Sequence, residues 1–217
     1  MLRYNTEHVP FSKGAILAME SHDPDAAAPG GAPARRGQRA DAQRNLETLL
    51  RAAKEVFAQA GLDAPVRDIA ARAGVGVGTV YRHFPRRPDL IAAVFRQEMD
   101  ACADAADALA ATHPPFEALE LWMQRFVDLA ATKYGLARAL HSGDPAFDGL
   151  PERREQRLWP AFRGLFERAR ADGAIKSDIA ADDFLYAAGH LCLSVQDSRP
   201  EQARRLVGLL VQGLRHA

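Results

Sequence analysis

The chain has 217 residues, 47% of them hydrophobic and 26% charged, an ordinary globular composition with room for one large domain or two small ones. Lysine plus arginine total 28, as do aspartate plus glutamate, and a net charge of zero would by itself argue against a nucleic-acid partner. The charge is unevenly spread. Residues 1–34 hold two basic and four acidic groups, residues 35–87 eleven basic and five acidic, and residues 88–217 fifteen basic and nineteen acidic. A basic block therefore sits against an acidic remainder. Cys102 and Cys192 stand ninety positions apart, so neither a disulfide framework nor a zinc site is expected. No apolar run approaches the ~18 residues that span a bilayer, and no signal-peptide core is present, so a cytoplasmic protein without membrane contact is expected.

In chain order, residues 1–40 mix polar groups with Ala, Gly and Pro, show no helical period, and read as a disordered extension. Met19 is a candidate alternative start. Arg35, Arg36 and Arg39 read as a solvated tail more readily than as a basic arm tracking a groove. From Ala42 the pattern becomes helical: Leu46, Leu49, Leu50, Ala53, Val56, Phe57 and Ala60 recur at helical spacing until Gly61. Pro65 suits the first position of a second helix, whose apolar points are Val66, Ile69, Ala70 and Ala73. Gly74-Val75-Gly76 ends it, and a short third helix spans Val77 to about Phe84. A fourth begins near Asp89 and runs through Leu90, Val94, Phe95 and Met99 to about Leu109. Four more follow, around Trp122, Phe162, Leu185 and Leu206. No alternating strand pattern occurs. The fold class is all-α.

The informative stretch is Pro65–Phe84, two short helices joined by a glycine-containing turn: the layout of a helix-turn-helix. Ile69, Ala70, Val75, Val80 and Phe84 are placed to hold the two helices together, and Gly74 supplies the positive-φ freedom of the turn. The other face of the third helix presents Val77, Gly78, Thr79, Tyr81, Arg82 and His83, side chains able to meet phosphates or base edges. Gly78 removes bulk where the backbone would approach a groove. The Gly74-x-Gly76-x-Gly78 spacing is not a dinucleotide loop, because it follows a helix and its third glycine comes one position early. Neither a Gly-x-Ser-x-Gly elbow nor a His-Glu-x-x-His motif occurs. No enzymatic activity, cofactor or metal is expected, and His141, His190 and Cys192 read as scattered single residues.

The run Val66-Arg67-Asp68-Ile69-Ala70-Ala71-Arg72-Ala73-Gly74-Val75, followed by Thr79-Val80-Tyr81-Arg82-His83-Phe84 and then Arg87 and Leu90, resembles the DNA-binding domain of the TetR family of bacterial transcriptional regulators. The resemblance covers roughly fifty residues with the preceding helix. It implies a homodimer of all-helical subunits, each with a three-helix DNA-binding head over 41–87. The body over 88–217 would bind a small inducer and dimerise through its last two helices. At matching positions Arg67, Val77, Gly78 and Thr79 face bases, while Tyr81, His83 and Arg87 meet phosphate. Two departures stand out. Ala64-Pro65 replaces the usual hydroxyl cap of the second helix, and Gly76 that of the third; Gly78 offers no side chain for base readout.

What the resemblance implies functionally is a repressor of its own or a neighbouring gene, held on double-stranded DNA at a near-palindromic operator and released by a small molecule. Phe95, Met99, Trp122, Phe126 and Phe166 are the candidate pocket residues, and their lack of charge favours an apolar or aromatic inducer. Arg153, Arg154 and Arg157 read as a solvated helix face. Leu185, Leu191, Val195, Leu206, Leu209, Leu210 and Leu214 supply apolar surface for an intermolecular bundle, or else close the monomer's own core.

Overall fold

A computed structural model describes residues 32–194 and 200–216, and the side chains of most of them. Tertiary contacts divide the chain into Met1–Arg39 and Ala40–Ala217. Of the first unit only the backbone of residues 32–39 is described, and it is helical. The helices are α1 (Ala32–Ala60), α2 (Val66–Ala73), α3 (Val77–His83), α4 (Arg87–Thr112), α5 (Pro115–Gly135) and α6 (Ala137–Leu140). A 3-10 turn (Pro145–Phe147) leads to α7 (Leu150–Arg153), a π-helical turn (Arg154–Leu158), α8 (Trp159–Ala171), α9 (Ala181–Ser194) and α10 (Pro200–Gly213). The described residues contain no strand, as expected.

The boundaries depart from expectation in three places. The first helix starts at Ala32, inside the extension expected to be irregular over 1–40, because Ala, Arg and Gln sustain a helix by propensity without any apolar period. Met19 and the rest of residues 1–31 lie outside the described residues. The second helix begins at Val66, with Pro65 as its extended N-cap. Residues 137–158, which carry no long periodic pattern, form the short α6, the 3-10 turn, α7 and the π turn.

Within Ala40–Ala217 one continuous apolar core runs from the helix-turn-helix into the body. It takes Leu49, Ala53 and Phe57 from α1, Ile69 and Ala70 from α2, Val80 from α3, and Leu90, Ile91 and Val94 from α4. Helix α4 is thus shared: Leu90, Ile91 and Val94 of its first turns belong to the same apolar cluster as α1–α3, and the helix packs against α5 and α8. In the body, α5 packs on α4, α8, α9 and α10. The centre is aromatic. Trp122 stacks on Phe126 at 5.9 Å, and Phe162 contacts Trp122, Phe166 and Phe184 at 5.6, 5.5 and 6.2 Å between ring centroids. The Trp122 Nε1–H donates to the Cys102 carbonyl at 2.8 Å, so its one polar atom is satisfied inside the core.

Candidate functional site

The turn between α2 and α3 is fixed by Gly74, whose φ of 69° and ψ of 29° lie in the left-handed region. Its N–H donates to the Ala71 carbonyl at 3.2 Å, and the Val75 N–H donates to the Ala70 carbonyl at 3.0 Å. This pair of reversed bonds is a Schellman closure, which ends α2 and turns the chain into α3. Gly76 follows in an extended conformation as N-cap, and its carbonyl accepts from the Thr79 N–H at 2.9 Å.

Helix α3 buries one side chain, Val80. Val77 and Tyr81 are 40% and 52% exposed, conspicuous for large side chains without an internal partner. Gly78, Arg82 and His83 are exposed beside them, and Thr79 is half-buried. A Cβ built on Gly78 meets nothing within 4 Å, so the protein's own packing does not require glycine there. Arg67 on α2 keeps 79% of its side chain exposed, with Asp68 3.5 Å away. Val77, Gly78, Tyr81 and Arg82 thus share one exposed arc of α3, while Thr79 and His83 lie on the adjoining face of the helix.

The head's cations divide into structural and available groups. Lys54 pairs with Glu98 at 2.6 Å, tying α1 to α4, and Arg72 Nε donates to Glu55 at 2.8 Å, tying α2 to α1. Arg87 differs from expectation. Its half-buried guanidinium donates to the carbonyls of Leu62 and Ala64, the latter at 2.7 Å. The group expected to meet phosphate is thus occupied by the turn between α1 and α2. Arg51 and Arg82 are exposed and have no ion-pair partner among the described residues. The side chains of Arg35, Arg36 and Arg39 lie outside the described ones.

The joint between head and body is held by charge. The Asp89 carboxylate accepts from the Arg86 backbone N–H at 3.3 Å and from the Arg86 guanidinium at 2.7 Å, capping α4. Arg86 also reaches Asp144 at 3.2 Å, at the start of the 3-10 turn. The Arg86 guanidinium holds the Asp89 carboxyl below its usual range.

The body contains a cavity of about 420 Å³, within the ~300–1,000 Å³ usual for small-molecule sites. Phe95 and Met99 of α4 and Phe126 of α5 line it, as read from the sequence. Trp122 and Phe166 do not; both are fully buried in the aromatic core beside it. Helical spacing identifies a buried face without separating core from cavity wall. The wall also includes Phe147, Leu150, Trp159 and Tyr186, together with Lys133, His141, Arg154 and His190. None of these polar residues stood out in the sequence as a pocket group: His141 and His190 read as scattered single residues and Arg154 as part of a solvated face. Arg153 and Arg157 are corrected as well. They are not a free solvated face, since Arg153 Nε donates to Asp100 at 2.7 Å and Arg157 pairs with Asp104, fastening α7 and the π turn to α4. Among the described residues no cluster of three or more His, Cys, Asp or Glu side chains is placed to hold a metal, and no helix is long and apolar enough to cross a membrane.

Comparison with known proteins gives two family matches. The model for bacterial regulatory proteins of the tetR family matches residues 49–94, and that for the SbtR-like transcriptional regulator C-terminal domain matches residues 114–216. The crystal structure of a TetR transcriptional regulator from Streptomyces coelicolor is 38% identical, with a TM-score of 0.68 over 78% of this chain and 97% of that one. A TetR transcription regulatory protein from Mycobacterium vanbaalenii is 34% identical, with a TM-score of 0.64 over 82% and 99% of the two chains. An HTH-type transcriptional repressor from Mycobacterium tuberculosis is 32% identical over 123 residues, 56% of this chain and 57% of that protein. The match thus spans little more than half the length of that relative.

Proposed function

The chain belongs to the TetR family of transcriptional regulators, and from that premise we propose that it is a DNA-binding repressor released by a small molecule. The division is a reader over 41–87 and a sensing and dimerising body over 88–217. The observation that carries the reading is α3, a helix that buries Val80 alone and turns Val77, Gly78, Tyr81 and Arg82 outward. In a major groove the small face at Val77–Gly78 lets the backbone come close, Thr79 and Arg82 offer groups for base edges or phosphate, and Tyr81 and His83 lie beside the strand. Arg67 extends the contact from α2, and Arg87 supports it by bracing α4 against the turn before α2.

Dimerisation is assigned to α9 and α10. Their residues split by face: Leu185, Ala203, Val207, Val211 and Leu214 close the monomer core, while Tyr186 and Leu209 are 49% and 70% exposed. Leu206 and Leu210 are half-buried beside them, and Val195 lies outside the described residues. A two-fold pair would set its reading helices about 34–36 Å apart, one duplex turn, and so demand a near-palindromic operator. Sedimentation at micromolar concentration should show a dimer; a single monomeric species would remove the basis for the palindrome.

The cavity is assigned to the inducer. Its wall contains α4 residues Phe95 and Met99, and Phe147 at the end of the 3-10 turn whose Asp144 grips Arg86. A ligand that seats differently in two arrangements of this wall would bias the joint below the reader, and DNA would weaken the ligand by the same factor. The experiment for the whole proposal is to recover genomic fragments bound by the purified protein. Fragments sharing a near-palindromic motif, including one next to its own gene, support it; recovery without a shared motif overturns it.

A further inference from the structure

The cavity has a charge pattern that its apolar faces do not require. Lys133, His141, Arg154 and His190 reach its lining from four separate parts of the chain, and among the described residues no aspartate or glutamate lines it. That is not a sample of the local composition, because residues 88–217 hold nineteen acidic groups against fifteen basic. Lys133 stands in the last turn of α5 and has no ion-pair partner among the described residues. Arg154 touches Glu155 at 2.9 Å, but that pair is half-exposed between chain neighbours and is weak competition for a ligand. The His190 Nδ1–H donates to the Tyr186 carbonyl at 2.8 Å, which leaves Nε2 of the neutral ring as an acceptor, so the donors for an anion are Lys133 and Arg154. Phe95, Met99 and Phe126 supply apolar faces for the remainder of the molecule.

We infer that the cavity takes a small amphipathic organic anion, its apolar body against α4 and α5 and its anionic end toward Lys133 and Arg154. This rests on the cavity being the effector site. It adds an anionic end to the apolar or aromatic inducer that the aromatic residues suggested.

The test compares two fluorescent probes with one ring skeleton, 8-anilinonaphthalene-1-sulfonate and the neutral N-phenyl-1-naphthylamine, titrated into the full-length protein. The sulfonate should bind at least tenfold tighter, and in the double variant Lys133→Gln, Arg154→Gln its affinity should fall to that of the neutral probe. Circular dichroism of the variant checks that it folds. Gly189→Leu, whose new Cβ would stand an ordinary 3.8 Å from the Phe126 ring, fills the cavity and should abolish both signals. Equal affinity of the two probes, or a sulfonate preference that survives the double variant, overturns the anion assignment while leaving the cavity as a site. Binding of neither probe, or binding of both that survives Gly189→Leu, overturns the anion assignment and the effector-site reading together, and DNA binding is measured independently of either.

Discussion

Two arginines five positions apart on either side of Pro85 have opposite consequences. Arg82 is exposed on α3 without an ion-pair partner among the described residues, whereas Arg87 is half-buried with its guanidinium on the Leu62 and Ala64 carbonyls. Losing charged hydrogen bonds of that kind costs about 1.5 kcal/mol or more. Arg87→Ala should therefore lower the urea midpoint, while Arg82→Ala should leave the midpoint in place and reduce the salt slope of DNA binding by about 1. The reverse assignment of effects would show that Arg87 is the phosphate contact. Gly78 gives a second separation of fold from function. Alanine is better than glycine in a helix by roughly 0.5–1 kcal/mol, and its Cβ meets no protein atom. Gly78→Ala should stabilise the protein and weaken its DNA complex; unchanged affinity would mean that the α3 backbone does not approach the groove.

At the scale of elements, the start of α4 depends on one carboxylate. Asp89 is held below its usual pKa by Arg86, so its contribution is fully present above the ordinary value near 3.8 and disappears as pH falls through its lower folded value. Asp182, paired with Arg163 at 2.6 Å, follows the same rule at the start of α9. Acid unfolding should accordingly steepen below pH 4, and Asp89→Asn should flatten that limb; identical acid profiles would show that the cap carries no linkage. Arg86 also binds Asp144, so Asp144→Asn should speed amide hydrogen exchange in the first turn of α4 without changing α8. No difference would remove this route between the cavity wall and the reader. What was legible in the sequence follows from the same physics. Gly74 and the spacing of Ile69, Ala70 and Val80 have a local cause, and the helix-turn-helix was readable residue by residue. Of the cavity, Phe95, Met99 and Phe126 were readable, but its polar wall was not, because Lys133, Arg154 and His190 come together only through tertiary packing. Trp122 and Phe166 share a helical face with cavity residues, and only the fold separates them. The partners of Arg87, at positions 62 and 64, are backbone carbonyls and leave no trace in side-chain pattern.

Across the whole sequence the zero net charge is a balance between the basic block 35–87, at +6, and the acidic remainder, −4 over 88–217 and −2 over 1–34. Much of the head's positive charge is internally neutralised, by Glu98 for Lys54, Glu55 for Arg72 and Asp89 with Asp144 for Arg86. The described cations available to DNA are therefore few, and on the proposed function specificity comes from the fit of α3 in the groove more than from bulk attraction. The most direct measurement of that claim is fluorescence anisotropy of the recovered operator and of a shuffled duplex, titrated with wild-type protein and with Tyr81→Ala across a range of salt. Operator binding should exceed shuffled binding by at least ~10³-fold, with the preference largely lost in Tyr81→Ala while its thermal midpoint holds. Equal affinity for the two duplexes, or a Tyr81→Ala protein that discriminates as well as wild type, would contradict the assignment of α3 as the reader.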